Sequence, residues 1–130
     1  MTRFMHRKKF DTALKSVSSL FKTLAHPDRL RLIGLLQDGE MGVSQLHQMM
    51  GVSQSVVSQH LKLFKLQGML FERKEGTHVY YSLKNRHLVK LIADAVDLQT
   101  EDVVQAKDEE AALLAEMRML LHPVKRTKRS

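Results

Sequence analysis

The chain has 130 residues, 43% of them apolar and 5% aromatic, no cysteine, and a net charge of +7. That length suits one domain with a modest core, and the composition excludes a mainly disordered chain. The missing thiols exclude thiolate metal sites, disulfide switches and cysteine nucleophiles, and no apolar run approaches the ~18 residues of a membrane span.

The first ten residues carry Arg3, Arg7, Lys8 and Lys9 and no acid. They read as a basic arm over 1–10, without the apolar run of a secretory signal. The main domain is expected over 11–121. Its first helix takes 11–24, where Leu14, Val17, Leu20, Phe21 and Leu24 recur at helical spacing. Ala25-His26-Pro27-Asp28 interrupts that pattern and starts a second helix. Pro27 suits the first helical position, where its missing N–H is no loss. Leu30, Leu32, Ile33 and Leu36 supply apolar faces, and Asp38-Gly39 ends the run.

The next stretch, VSQLHQMMGVSQSVVSQHLKLFKL from Val43 to Leu66, predicts two helices joined by a tight turn. Leu46 and Met50 share a face of the first. Gly51 can take positive φ at no steric cost, and the Ser53 hydroxyl can cap the second helix. On that second helix Val57, Leu61 and Phe64 form the apolar stripe, while Ser55, Ser58, Gln59 and Lys62 fall on the opposite face. Two hydroxyls, an amide and an amine on an exposed face suit the reading of base edges, so the pattern predicts a helix-turn-helix. Gly68 closes it.

From Met69 to Leu83 the apolar period changes from helical to alternating. Val79, Tyr81 and Leu83 alternate with Tyr80 and Ser82, and Glu75-Gly76 lies between two expected strands, which predicts a β-hairpin. Its tip carries Arg73, Lys74, Thr77 and His78. A basic-tipped hairpin directly after a helix-turn-helix is the layout of a winged helix.

Asn85 can cap a fifth helix with apolar Leu88, Leu91, Ile92, Ala95, Val96 and Leu98. Thr100 is expected to cap a sixth, running to Leu121 with Val103, Ala106, Leu113, Met117 and Leu120 near heptad spacing. A domain this small does not need two further apolar helices to close its core. The first helix and these last two are therefore expected to pack against a second copy. Residues 122–130 read as a basic tail with Lys125, Arg126, Lys128 and Arg129. With arm and tail set aside, residues 11–124 sum to −1. Basic side chains concentrate between Ser53 and Lys90 and acidic ones between Leu91 and Glu116, a distribution that suits nucleic acid better than the bulk charge does.

LFKTLAHPDRLRLIGLL, SQSVVSQHLKLFKLQGML and ERKEGTHVYYSL together resemble the ArsR/SmtB family of winged-helix repressors, over about Leu20 to Leu98. The resemblance implies a mainly α (α+β) winged helix-turn-helix, five to six helices plus one hairpin wing, working as a homodimer in the cytoplasm. It implies a repressor that releases a double-stranded operator, an imperfect palindrome, when an inducer binds. Gln54, Ser55, Ser58 and Gln59 become the expected base or near-base contacts. Lys62 and the wing residues Arg73, Lys74, Thr77 and His78 are expected to reach phosphates.

Two departures bear on the inducer. Family members that sense arsenic or cadmium carry a cysteine box leading into the third helix, and here Gly42 and Ser44 stand where the thiols would be. Soft metals need such thiolates. Members that sense zinc or cobalt carry four ligands on the dimer helix, where this chain has Asn85, His87, Leu98 and Glu101. Only His87 and Glu101 are retained, as weak metal candidates, whereas zinc takes four donors in tetrahedral array. His47 occupies a position usually given to a small residue. His26 before Pro27 is expected to be structural, and His60, beside the buried stripe, to pack internally.

These readings favour a DNA-binding repressor with no cofactor and no resident metal ion. One alternative is a metal-responsive repressor with an unconventional histidine and carboxylate site, combining His6, His26 or His122 with His87. Another is a winged helix that docks a protein. Docking helices display aromatic or large aliphatic anchors, and Ser55, Ser58, Gln59 and Lys62 include none. No glycine-rich phosphate loop and no Ser-His-acid arrangement marks an enzyme.

Overall fold

Helix α1 spans Thr2–Leu24 and packs against α2, Pro27–Leu35, which ends in a short 3-10 turn at Leu36–Asp38. Strand β1, Met41–Gly42, precedes α3, Val43–Met50, and α4, Gln54–Leu66. Strands β2, Leu70–Glu75, and β3, His78–Leu83, form the hairpin, and helices α5, His87–Val103, and α6, Asp108–Leu121, complete the chain. The computed structural model describes residues 2–103 and 108–121, with side chains except at 2–5, 100–103, 108–111, 114 and 121.

The core forms where the apolar stripes of α2, α3, α4 and α5 meet the base of the hairpin. Leu32, Ile33, Leu36, Leu46, Val57, Leu61 and Phe64 are fully buried at its centre. Burying each such side chain contributes about 1.5–3 kcal/mol before chain entropy is set against it. Leu88, Val89, Ile92, Ala93 and Val96 of α5 close one side, and Met117 of α6 packs onto the cluster. The winged helix expected from the sequence is present, with six helices among the described residues.

The sheet is antiparallel in the order β1-β3-β2. Leu70 pairs with Leu83, both buried, at the base of the hairpin, and Glu75 with His78 at its tip. The turn is Gly76-Thr77, one residue beyond the expected Glu75-Gly76, with Gly76 at φ 63°. Strand β1 is an addition to the reading. Met41 pairs with Tyr81 and Gly42 with Tyr80, so the segment leading into α3 is the third strand.

Four further expectations are corrected. The first helix begins at Thr2, so most of the basic arm is helical. Thr100 lies within α5 rather than at the start of a further helix, because α5 continues to Val103. The sixth helix starts at Asp108, not next to Thr100. Finally, α5 is not wholly free for a second copy: its Leu88, Ile92 and Val96 complete this chain's own core, while Leu98 is exposed. The basic tail, 122–130, lies outside the described residues.

Candidate nucleic-acid interface

Local chemistry sets the recognition helix. The α3 helix ends on Gly51 in the left-handed region at φ 70°, whose N–H donates to the His47 carbonyl at 3.0 Å. The unusual His47 acts in the same turn: its Nδ1 lies 2.6 Å from the Val52 carbonyl, to which the ring N–H donates. Ser53 Oγ then accepts from the Val56 N–H at 3.2 Å, the cap expected from the sequence. Turn and cap together fix the angle at which α4 leaves α3.

Val57, His60, Leu61 and Phe64 are the buried residues of α4. Their burial turns the other side outward, and Gln54, Ser55, Ser58, Gln59 and Lys62 are all exposed. The structure thus brings these five expected contacts onto one helix. Their hydroxyl and amide groups can donate or accept at base edges, and Lys62 offers a point charge for a phosphate.

The wing presents Lys74, Thr77 and His78 exposed around its tip. Arg73 is exposed but committed elsewhere. Its Nη2 and Nε meet the Glu40 carboxylate at 2.6 and 3.0 Å, its Nη1 meets Glu75 at 3.3 Å, and the guanidinium lies 4.6 Å from the Tyr80 ring centroid. These partners raise the Arg73 pKa further, and its hydrogen bonds hold the Glu40 carboxyl below its ordinary value. Arg73 fastens the wing to the segment before β1.

A second tie joins wing and recognition helix. Lys65 Nζ at the end of α4 donates to Glu72 Oε1 at 2.8 Å, and the Tyr81 hydroxyl donates to Glu72 Oε2 at 3.2 Å. Lys65 first, then Tyr81, holds the Glu72 carboxyl below its ordinary value. Glu40, Lys65 and Glu72 were missed as positioning residues. The signal for Glu72 was an acid within a mostly basic hairpin, while no local pattern marks Glu40.

Of the two weak metal candidates, His87 alone has a described side chain. His87 is the first residue of α5 and is exposed, its N–H bonded to Asn85 Oδ1 at 2.8 Å. Leu98 is 67% exposed and has no donor to offer. The Glu101 side chain lies outside the described residues.

His26 and His60 do come together. The Nδ1 of His26 accepts from the Asp28 N–H at 3.1 Å and so caps α2, and its ring meets that of His60 edge to face at 4.9 Å between centroids. Arg29 donates from Nε to His60 Nδ1 at 3.2 Å and from Nη1 to the Thr23 carbonyl at 3.0 Å. Burial first, then the neighbouring His26 and Arg29, pushes the His60 pKa below its ordinary value. Both histidines have the internal roles expected of them. Arg29, which ties α1, α2 and α4 together, was missed.

Residues 26–70 match the model of the bacterial regulatory protein, arsR family. A transcriptional repressor SmtB homolog from Synechocystis is 37% identical over 89 residues, 68% of this chain and 67% of that protein. The transcriptional repressor PagR from Bacillus anthracis is 37% identical over 65% of this chain and 86% of its own length. Among solved structures, the transcriptional repressor BigR from Xylella fastidiosa superposes with a TM-score of 0.62 at 29% identity, over 71% of this chain and 94% of that one.

Proposed function

The chain belongs to the ArsR family of bacterial regulatory proteins, and from that premise we propose that it is a dimeric repressor which reads its operator with α4 and clamps the flanking backbone with its wing. One observation carries the reading: the outward face of α4 holds Gln54, Ser55, Ser58, Gln59 and Lys62, polar side chains with no apolar anchor among them. A face that docked a protein would bury aromatic or aliphatic groups at its centre. Hydroxyls and amides suit base edges, and the exposed Lys74 on the wing suits a phosphate.

The second copy is supported by what α1 leaves uncovered. Phe10, Leu14, Val17 and Phe21 recur at helical spacing and are 46–64% exposed, and Leu98 of α5 and Leu113 of α6 are exposed as well. Two copies joined there present two recognition helices, and two-fold symmetry calls for an imperfect palindrome with half-sites about one helical turn apart, or a multiple of it. No helix among the described residues is long and apolar enough to cross a membrane. The proposed workplace is the cytoplasm.

The inducer acts elsewhere than at the family's metal sites. The chain has no thiol to place at Gly42 or Ser44, and the dimer-helix set lacks a donor at Leu98. The fold closes its core with apolar side chains and is proposed to need no resident cofactor. Binding of the purified protein to a duplex from its own promoter, against a shuffled duplex of equal length, tests the function. Preference for the promoter by about 10³-fold or more, weakening as salt rises, is the expected result. Equal affinity for the two duplexes refutes sequence-specific repression.

A further inference from the structure

Behind the recognition helix, where α4 meets the start of α2, three side chains of metal-binding type converge. His26 caps α2, Asp28 stands in its first turn, and His60 lies on the inner side of α4, turned away from Ser55, Ser58 and Gln59. One ligand atom from each lies within 4.8 Å of the other two. His60 is only 8% exposed, and its Nε2 is buried with no hydrogen-bond partner. A buried polar nitrogen without a partner calls for an explanation. The Nδ1 atoms of both rings are already used, by the Asp28 N–H and by Arg29, which leaves Nε2 of each ring for a shared ligand.

We propose that His26, Asp28 and His60 form a site for one divalent cation of the zinc class, with water in the fourth position, and that its occupancy lowers operator affinity. Two imidazoles and a carboxylate suit zinc, cobalt or nickel. Zinc holds such ligands at about 2.0–2.2 Å, hence roughly 3.3 Å from one another, so ligand atoms that lie up to 4.8 Å apart must draw together by up to about 1.5 Å, with the rings turning to present Nε2. Half-buried His26 and Asp28 give the ion its way in.

The chemistry at the rings makes this a switch. Without metal, each Nδ1 accepts a hydrogen bond, so a neutral ring carries its proton on Nε2. A metal on Nε2 moves that proton to Nδ1 with no net release. Nδ1–H of His60 then faces the Arg29 N–H, and Nδ1–H of His26 faces the Asp28 N–H, donor against donor. Metal binding therefore exchanges two hydrogen bonds for three metal bonds. Arg29 leaves α4 while keeping the Thr23 carbonyl, and the α2–α4 junction settles in a second arrangement. Because α4 carries the base-reading face, the ion has different affinities for the two arrangements and shifts DNA binding. The regulatory half of this inference rests on the repressor reading; the site itself does not.

Cobalt titration of the full chain, followed by visible absorption and by competition with zinc, tests the site. The double variant His26→Asn, His60→Gln removes both imidazoles. Its asparagine can still cap α2, and its glutamine oxygen can still accept from Arg29. Cobalt should bind the unmutated protein at one ion per chain and the double variant at least tenfold more weakly, on the order of 100-fold, whereas His87→Ala binds as before. Saturating zinc should weaken operator binding of the unmutated protein by about fivefold or more and leave the metal-free affinity of the double variant untouched. Undiminished cobalt binding in the double variant, or operator affinity that ignores zinc, overturns the proposal. A metal-free protein without preference for its own promoter defeats the repressor reading instead, and the cobalt titration still decides the site.

Discussion

Ser55 and Gln59 stand on the same outward face of α4, one turn apart, on a helix whose start is fixed by the Ser53 cap and whose inner side is fully packed. A rigid helix can hold a hydroxyl and an amide at a base edge without ordering them anew on binding. Ser55→Ala and Gln59→Ala should each cost about 1–3 kcal/mol against the operator and little against random duplex, the range for one good base contact. Anisotropy titrations on the two duplexes measure the difference, and equal losses on both would remove these residues from base reading. Lys74 and Arg73 are neighbours in the chain with different work to do. Lys74 is exposed on the wing, whereas Arg73 is held by Glu40 and Glu75. Lys74→Ala should shallow the log–log salt dependence by about one unit, as for one phosphate contact. An unchanged slope would place the wing tip off the DNA.

The wing is an element held by carboxylates. Glu40 ties it to the segment before β1 through Arg73, and Glu72 ties it to α4 through Lys65. Both carboxyls have pKa values depressed below the ordinary glutamate range by these hydrogen bonds. A depressed value means the tie is fully present above the pKa of the unfolded chain and is lost as pH falls through the folded value. The wing should therefore stay fastened from neutral pH down into the ordinary glutamate range and loosen only at more acid pH. Carboxyl chemical shifts followed by NMR should show both midpoints below the ordinary value. Arg73→Ala should return Glu40 toward its ordinary value and leave Glu72 depressed. An ordinary midpoint for Glu40 in the unmutated protein would mean that the clamp does not form in solution. Because both pairs are exposed, their contribution lies in orienting the wing rather than in stability.

At the scale of the whole molecule, a core that closes within one chain coexists with an apolar stripe that it does not cover. Leu14, 51% exposed on α1, can be changed without touching that core. Leu14→Glu should leave the fold intact, shift the protein toward monomer in sedimentation and abolish tight operator binding. A monomer in the unmutated protein would defeat the dimeric reading. Met117 cannot serve this test, because it packs against this chain's own core.

What the sequence determined by itself was whatever depends on neighbours in the chain. The helix-turn-helix was legible because Gly51, Ser53 and the Val57–Leu61–Phe64 stripe act over a turn or two of helix. The hairpin was legible because alternation and a glycine turn are equally local. The family followed from those same segments. Tertiary structure decided what depends on distant partners. Strand β1 is two residues long, too short for any period, and exists because β3 offers it an edge. The ion pair that holds Arg73 depends on Glu40, 33 residues earlier, which no local pattern brings beside it. The faces of α5 and α6 could not be assigned from spacing, since an apolar stripe reads alike whether its own core or a second copy covers it. His26 and His60 are likewise unremarkable in the chain, and only the packing of α2 on α4 sets their rings in contact.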